Sequence, residues 1–285
     1  MNKESLMTKK RITRLLTVIA IAFVLSGCST SSELITLDTT FSDVMNDGFF
    51  AAVITYPLAQ AINLLEPKVG IFLAVSLVTI GINAIVMIFT FKSSVGMQKM
   101  QELQPEMQKI QAKYEGRTDD VSQQRMAMEM QQLYSKYNVN PLGAIISTFI
   151  QFPLLIGMYN AVRRSETVAN AQFMGVSLSM SPSQALKEKA WVCVVIFVLM
   201  ILCQFISIKL PQILANKHGQ EEAEKHHKTY QKPQNQNQMM TYSMLAMVAF
   251  VMFSCPTALS LYYCISSIVN IAKTLIIDKM THKEA

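Results

Sequence analysis

The sequence predicts an all-α polytopic membrane protein with five spans. Three observations carry this. Of 285 residues, 51% are hydrophobic and only 15% charged, against about 25% charged in an ordinary soluble domain. The apolar residues cluster in runs long enough to cross a bilayer. Polar residues recur inside those runs at three- and four-residue spacing, as on one helix face. The formal net charge of +6 includes +4 from residues 1–27. The +2 left over gives no basis for reading nucleic acid.

The chain starts with Lys3, Lys9, Lys10, Arg11 and Arg14, then an apolar run over 15–25, then LSGC ending at Cys28. A basic start, a short apolar stretch and small residues before a Cys describe a bacterial lipoprotein signal. Residues 1–27 are the expected signal peptide. Cys28 is the expected acylated (palmitate-bearing) N-terminus, on the outer face of the membrane. The Ser/Thr-rich stretch that follows makes 28–47 a flexible extracytoplasmic tether. Residues 48–68, apolar but interrupted by Pro57, suit an amphipathic helix at the interface.

The core is expected over 69–277. Its first span is 69–91, closed by Lys92. Residues 92–140 are polar, with two helical arms around EGRTDD (115–120), and read as a cytoplasmic hairpin. The second span is 142–162 and an external loop covers 163–189. The third span is 190–208, closed by Lys209 and Pro211, and a cytoplasmic loop covers 209–238. The last apolar stretch is too long for one helix, and Pro256 divides it into spans 239–255 and 257–277. A cytoplasmic tail occupies 278–285. Lys and Arg concentrate in the segments assigned to the cytoplasm. The external loop departs from that bias with Arg163, Arg164, Lys187 and Lys189, so the lipid anchor decides the sidedness.

Polar side chains in hydrocarbon are costly, which makes their positions informative. Ser76, Thr79 and Asn83 share a face of the first span. Thr148 and Gln151 lie in the second span, Gln204 in the third, and Tyr263, Ser266 and Asn270 in the fifth. Such residues either join helices or line a hydrophilic pocket. Asn83, Gln151 and Gln204 stand in mid-span on separate helices, which favours the pocket. No span interior carries an acid, which argues against a proton- or ion-coupled transporter. Met97, Met100, Met107, Met126 and Met130 line the hairpin arms. They either pack the arms together or offer a soft surface to varied apolar clients. Cys193, Cys203, Cys255 and Cys264 lack metal spacing and read as free, buried residues. The four His fall in polar flanks. No metal or cofactor motif is present.

The strings TYPLAQ (55–60), FTFKSSVGMQKMQELQPEMQKIQAKY (89–114), NPLG (140–143), QFPLLIGMY (151–159) and SCPTALSLYYCISSIVNI (254–271) resemble the YidC/Oxa1/Alb3 family of membrane protein insertases, in its Gram-positive lipoprotein form. The resemblance covers roughly 48–277. It implies a five-transmembrane-helix insertase core, with a cytoplasmic hairpin and a groove open to cytoplasm and lipid. It also implies insertion of nascent membrane proteins without nucleotide, metal or enzymatic chemistry. The implied partners are nascent chains, the bilayer, the ribosome and the Sec translocon. The family's first span carries a groove Arg nine residues before its closing Lys, and here that position is Asn83. This departure implies a specialised insertase or, alternatively, a paralogue that has lost insertion and scaffolds membrane complexes.

Overall fold

The computed structural model describes residues 33–140, 142–225 and 236–282. Cys28 and the signal segment lie outside the described residues. The described residues form two compact units, one within 33–78 and 151–180, the other within 79–150 and 181–282.

The first unit is built around the segment expected to be a tether. From Glu33 that segment is docked instead. Ile35 is fully buried. Its N–H donates to the Arg164 carbonyl at 2.6 Å, and its carbonyl accepts from the Glu166 N–H at 3.3 Å. Helix α1 (Phe41–Asn46) follows, with Thr40 and Asp43 forming a capping box that satisfies its first N–H groups. A π turn (Ala51–Thr55) leads into α2 (Tyr56–Val69). Pro57 falls in the first turn of α2, directly after the π turn, and the helical backbone continues through it. The face of α2 bearing Leu58, Ala59, Ile62 and Asn63 is buried, while Phe49, Val53 and Leu64 are exposed, so 48–68 packs on protein by one face and presents apolar side chains on the other. Gly70, at φ +80°, ends α2, and the chain turns into α3 (Ile71–Glu102).

The second half of α6 (Leu142–Arg164) also belongs to this unit. An added Cβ at Gly157 would meet the Ile54 side chain, so glycine permits the close approach of α6 to the π turn. The expected external loop is ordered. It holds α7 (Glu166–Asn170) and a two-stranded antiparallel hairpin, β1 (Gln172–Phe173) with β2 (Val176–Ser177). Phe173 stacks on Phe72 with ring centres 4.7 Å apart. Met158, Val162, Val168 and Leu178 complete the core.

The second unit begins within α3, which does not stop at Lys92 but runs on to Glu102. Apolarity sets where hydrocarbon ends, whereas helix continues until a breaker arrives, here Pro105, which leaves Leu103 as the turn between two helices. The hairpin arms are accordingly shorter than expected, α4 (Gln104–Lys113) and α5 (Asp120–Lys136). Beyond the external loop lie α8 (Pro182–Glu188) and α9 (Trp191–Lys225). Pro211 falls inside α9 and does not close it, contrary to the sequence expectation. One lost N–H bond is outweighed where neighbouring packing holds the helix. Helices α10 (Gln236–Ser254) and α11 (Thr257–His282) flank Cys255 and Pro256. Among the described residues, three stretches are long and apolar enough to cross a membrane: Ile71–Glu102, Trp191–Glu221 and Thr257–Thr281. Leu245–Ser254 is a shorter apolar helix.

Candidate functional site in the polar face of the membrane helices

On α3 the buried polar residues are Thr79, Asn83, Thr90, Ser94 and Gln98 in the second unit, with Ser76 in the first. Their spacing of three, four and seven puts them on one stripe. Asn83 is 7% exposed. Its Nδ2 donates to the Thr79 carbonyl at 2.8 Å. Its Oδ1 accepts from Ser266 Oγ on α11 at 3.1 Å. Ser267, the next residue on α11, donates to Gln204 Oε1 on α9 at 2.5 Å and to its own helix at the Tyr263 carbonyl. Two adjacent serines of α11 thus face two different helices and connect all three.

Beside this, Tyr263 is half-buried and meets Tyr262 edge to face at 5.4 Å. The Asn270 carbonyl accepts from Thr274. Cys203 on α9 and Cys264 on α11 approach to 3.5 Å between sulfurs, both free. Of the expected groove residues, Thr79, Asn83, Gln204, Tyr263, Ser266 and Asn270 lie in this unit. Ser76 lies in the first unit and donates to the Phe72 carbonyl of its own helix. Gln151 is half-buried in the first unit. The side chain of Thr148 lies outside those described.

A second tie lies further along the same helices. Asp278 Oδ1 accepts from Gln98 Nε2 of α3 at 3.0 Å and meets His218 Nε2 of α9 at 2.9 Å. His218 was expected on a solvated flank, and its side chain is only 18% exposed. The signal for it is its place seven residues past Pro211, which acquires meaning once α9 is seen to continue.

Polar contacts tie the two hairpin arms, beside the buried Leu103, Tyr114 and Leu133. Glu129 accepts from Lys113 Nζ and, at 2.8 Å, from the Tyr114 hydroxyl. Tyr137 donates to Glu106 at 3.0 Å. Lys113, first, and Tyr114 hold the Glu129 carboxyl below its ordinary range, and Glu129 raises Lys113. Of the five methionines, Met107, Met126 and Met130 sit on the arms, half-buried, and Met107 Sδ lies 3.9 Å from the Tyr134 hydroxyl. Met97 and Met100 ride on α3 instead, because that helix overruns the expected boundary. Met128 is exposed.

In the first unit a separate polar cluster is closed on itself. Asn63 Oδ1 accepts from Ser165 Oγ at 2.6 Å and Thr167 Oγ1 at 2.9 Å, while its Nδ2 donates to the Ile35 carbonyl at 2.6 Å. Arg164, 8% exposed at its side chain, pairs with Asp47 at 2.6 Å and donates to the Glu33 carbonyl at 2.9 Å.

Comparison with known proteins accords with this arrangement. The family model described as 60Kd inner membrane protein matches residues 65–284. The chain is 28% identical over 274 residues to the membrane protein insertase MisCA of Bacillus subtilis (strain 168), covering 95% of this chain and 93% of that one. It is 29% identical over 273 residues to membrane protein insertase YidC 2 of Bacillus anthracis, with 94% of each chain covered. It is 27% identical over 276 residues to YidC of Oceanobacillus iheyensis, covering 95% of this chain and 97% of that one. The chain belongs to the 60Kd inner membrane protein family, the YidC-type insertases that its motifs resemble.

Proposed function

We propose that this chain inserts integral membrane proteins into the plasma membrane and helps them fold, without nucleotide, metal or bond-making chemistry. The observation that carries this is the row of hydrogen-bonding side chains on α3, α9 and α11, within helices otherwise apolar enough to cross the bilayer. A client's polar flank exchanges hydrogen bonds with such a row, which lowers the cost of leaving water. Its apolar segment then partitions into lipid, at about 25 cal/mol per Å² removed from water.

In this reading α3, α6, α9, α10 and α11 are the five spans. Nascent membrane proteins are the clients, delivered by the ribosome or alongside the Sec translocon. Cys28 is lipidated on the outer face and the C-terminus is cytoplasmic. Ser76, Thr79, Asn83, Thr148, Gln151, Gln204, Tyr263, Ser266 and Asn270 line the client path, and the arm methionines make first contact with clients. The Arg164–Asp47 pair supports this sidedness, because it neutralises one of the four cations that count against an external 163–189 loop.

One observation favours a second reading, a scaffold that holds partner helices without inserting them. Asn83 is spent on Thr79 and Ser266 and is nearly buried. The test is reconstitution of the full chain in liposomes with ribosome-bound single-span clients, read by protease protection. Insertion above empty liposomes, with crosslinks from the client to Gln204 or Tyr263, is expected. Stable capture of one membrane complex with no insertion would establish the scaffold instead. Asn83→Arg is expected to widen the range of clients in a strain depleted of its housekeeping insertase.

A further inference from the structure

The last span carries a cation that no described residue neutralises. Lys273 lies within the apolar stretch Thr257–Thr281. It makes no hydrogen bond and no ion pair with any described residue. An ionised side chain in a span is expensive, and such residues pair with a counter-charge or serve a function.

Its place on the helix narrows the choice. Residues 266, 270, 273 and 277 recur at four, three and four, so they share a face. Ser266 and Ile277 on that face are buried. The opposite side of α11 bears Ile268, Leu275 and Ile276, all exposed. Lys273 is half-buried and stands on the protein-facing side, not on the face presented to lipid.

Two ties bracket it. Helices α3 and α11 are joined at Asn83–Ser266 and again at Gln98–Asp278. These ties are 12 residues apart on α11, about 18 Å, and Lys273 lies between them. Over the same interval α3 offers Thr90 and Ser94, both buried, each donating to a carbonyl of its own helix. No carboxylate faces the interval from α3. On α11 the next acid, Asp278, is engaged by Gln98 and His218. On α9, Lys209 lies over the Tyr242 ring and adds no negative charge.

We infer that Lys273 is the receiving cation of the client path, which binds an Asp or Glu carboxylate in the polar flank of an entering chain. This rests on the insertase reading and names the class of client it selects. The ammonium donates to the carboxylate while the flank is held, and the bare ammonium waits when no client is bound. A lipid phosphate is the other anion within reach of a membrane lysine, but the buried side of α11 disfavours it.

The test uses the full chain in liposomes and three versions of one single-span client, with an acidic, a neutral Gln/Ser or a basic flank. Lys273→Gln is expected to lower insertion of the acidic version about tenfold, the effect of losing a charged hydrogen bond. The neutral version should change little. Lys273→Arg should restore the acidic version, and Lys273→Glu should turn the preference toward the basic one. An equal loss for acidic and neutral clients would make Lys273 a packing residue and overturn the inference. No change in any client would also overturn it. So would a Lys273→Gln effect that appears only with phosphatidylglycerol present, is absent in phosphatidylcholine alone, and ignores the flank, since that identifies lipid phosphate as the partner. If the unaltered chain inserts none of the three clients, the insertase reading itself fails, and that result is distinct from each of these.

Discussion

The two units both bury polar side chains, and they do so in opposite styles. Around Asn63 every polar atom of the amide is used, by two hydroxyls and a carbonyl drawn from segments 28 to 104 residues away in sequence. Along α3, α9 and α11 each side-chain pair between helices is joined by one bond, at Asn83–Ser266, at Gln204–Ser267 and at Asp278 with Gln98 and His218, and one cation is left with no described partner. A fully satisfied network rigidifies what it joins, because loss of one member strands the others. A row of single bonds can be exchanged one at a time. The first style suits a frame, and the second suits a surface that gives way to a passing chain.

Asn63→Leu tests the frame most severely. It removes the acceptor shared by the Ser165 and Thr167 hydroxyls and one of the two donors to the Ile35 carbonyl, and should cost about 3 kcal/mol, measured by denaturant unfolding in detergent. Arg164→Met should cost about 2 kcal/mol, since a largely buried pair is broken and Asp47 is left alone. Limited proteolysis should then cut within 33–47 faster than in the unaltered chain. Gly157→Val forces a side chain against Ile54 and should cost about 1 kcal/mol, visible as a lowered melting temperature.

The stripe should respond more weakly. A double-mutant cycle between Asn83→Ala and Ser266→Ala is expected to give a coupling of about 0.6 kcal/mol. A coupling as large as the Asn63 loss would erase the contrast between the units. The smallest effect belongs to the hairpin. The Glu129 pKa is depressed, so its contribution is present above the ordinary carboxylate pKa and fades as pH falls through the lowered value. The Lys113 pKa is raised, so its part persists to higher pH than an ordinary lysine. Protection factors of the amides over 104–136, with the intrinsic pH dependence of exchange divided out, should therefore hold across the neutral range and fall at acid pH, and Glu129→Gln should flatten that fall.

The apolar runs, the break at Pro256 and the polar positions on α3, α9 and α11 were legible because each is a local pattern in the chain. Helix ends at Lys92 and Pro211 were not. Hydropathy marks the edge of hydrocarbon, and a helix that continues into water leaves no trace in it. The docking of 33–47 was hidden for another reason, since its bonds run from Ile35 to Arg164 and Asn63, and no periodicity records contacts between distant segments. Lys273 was visible as a letter in the last span. Its meaning depends on the lack of a counter-charge among the described residues, which only the packing discloses.

The unbroken run of α3 from Ile71 to Glu102 has a mechanical consequence. At about 1.5 Å per residue the rod is about 48 Å long, well beyond the thickness of hydrocarbon it has to cross. With only Leu103 between this rod and α4, the hairpin is mounted on a stiff shaft with no slack leash between them. A load applied to the hairpin would turn the shaft and, with it, the amide of Asn83, so that a push on the arms is felt as torque along the polar stripe.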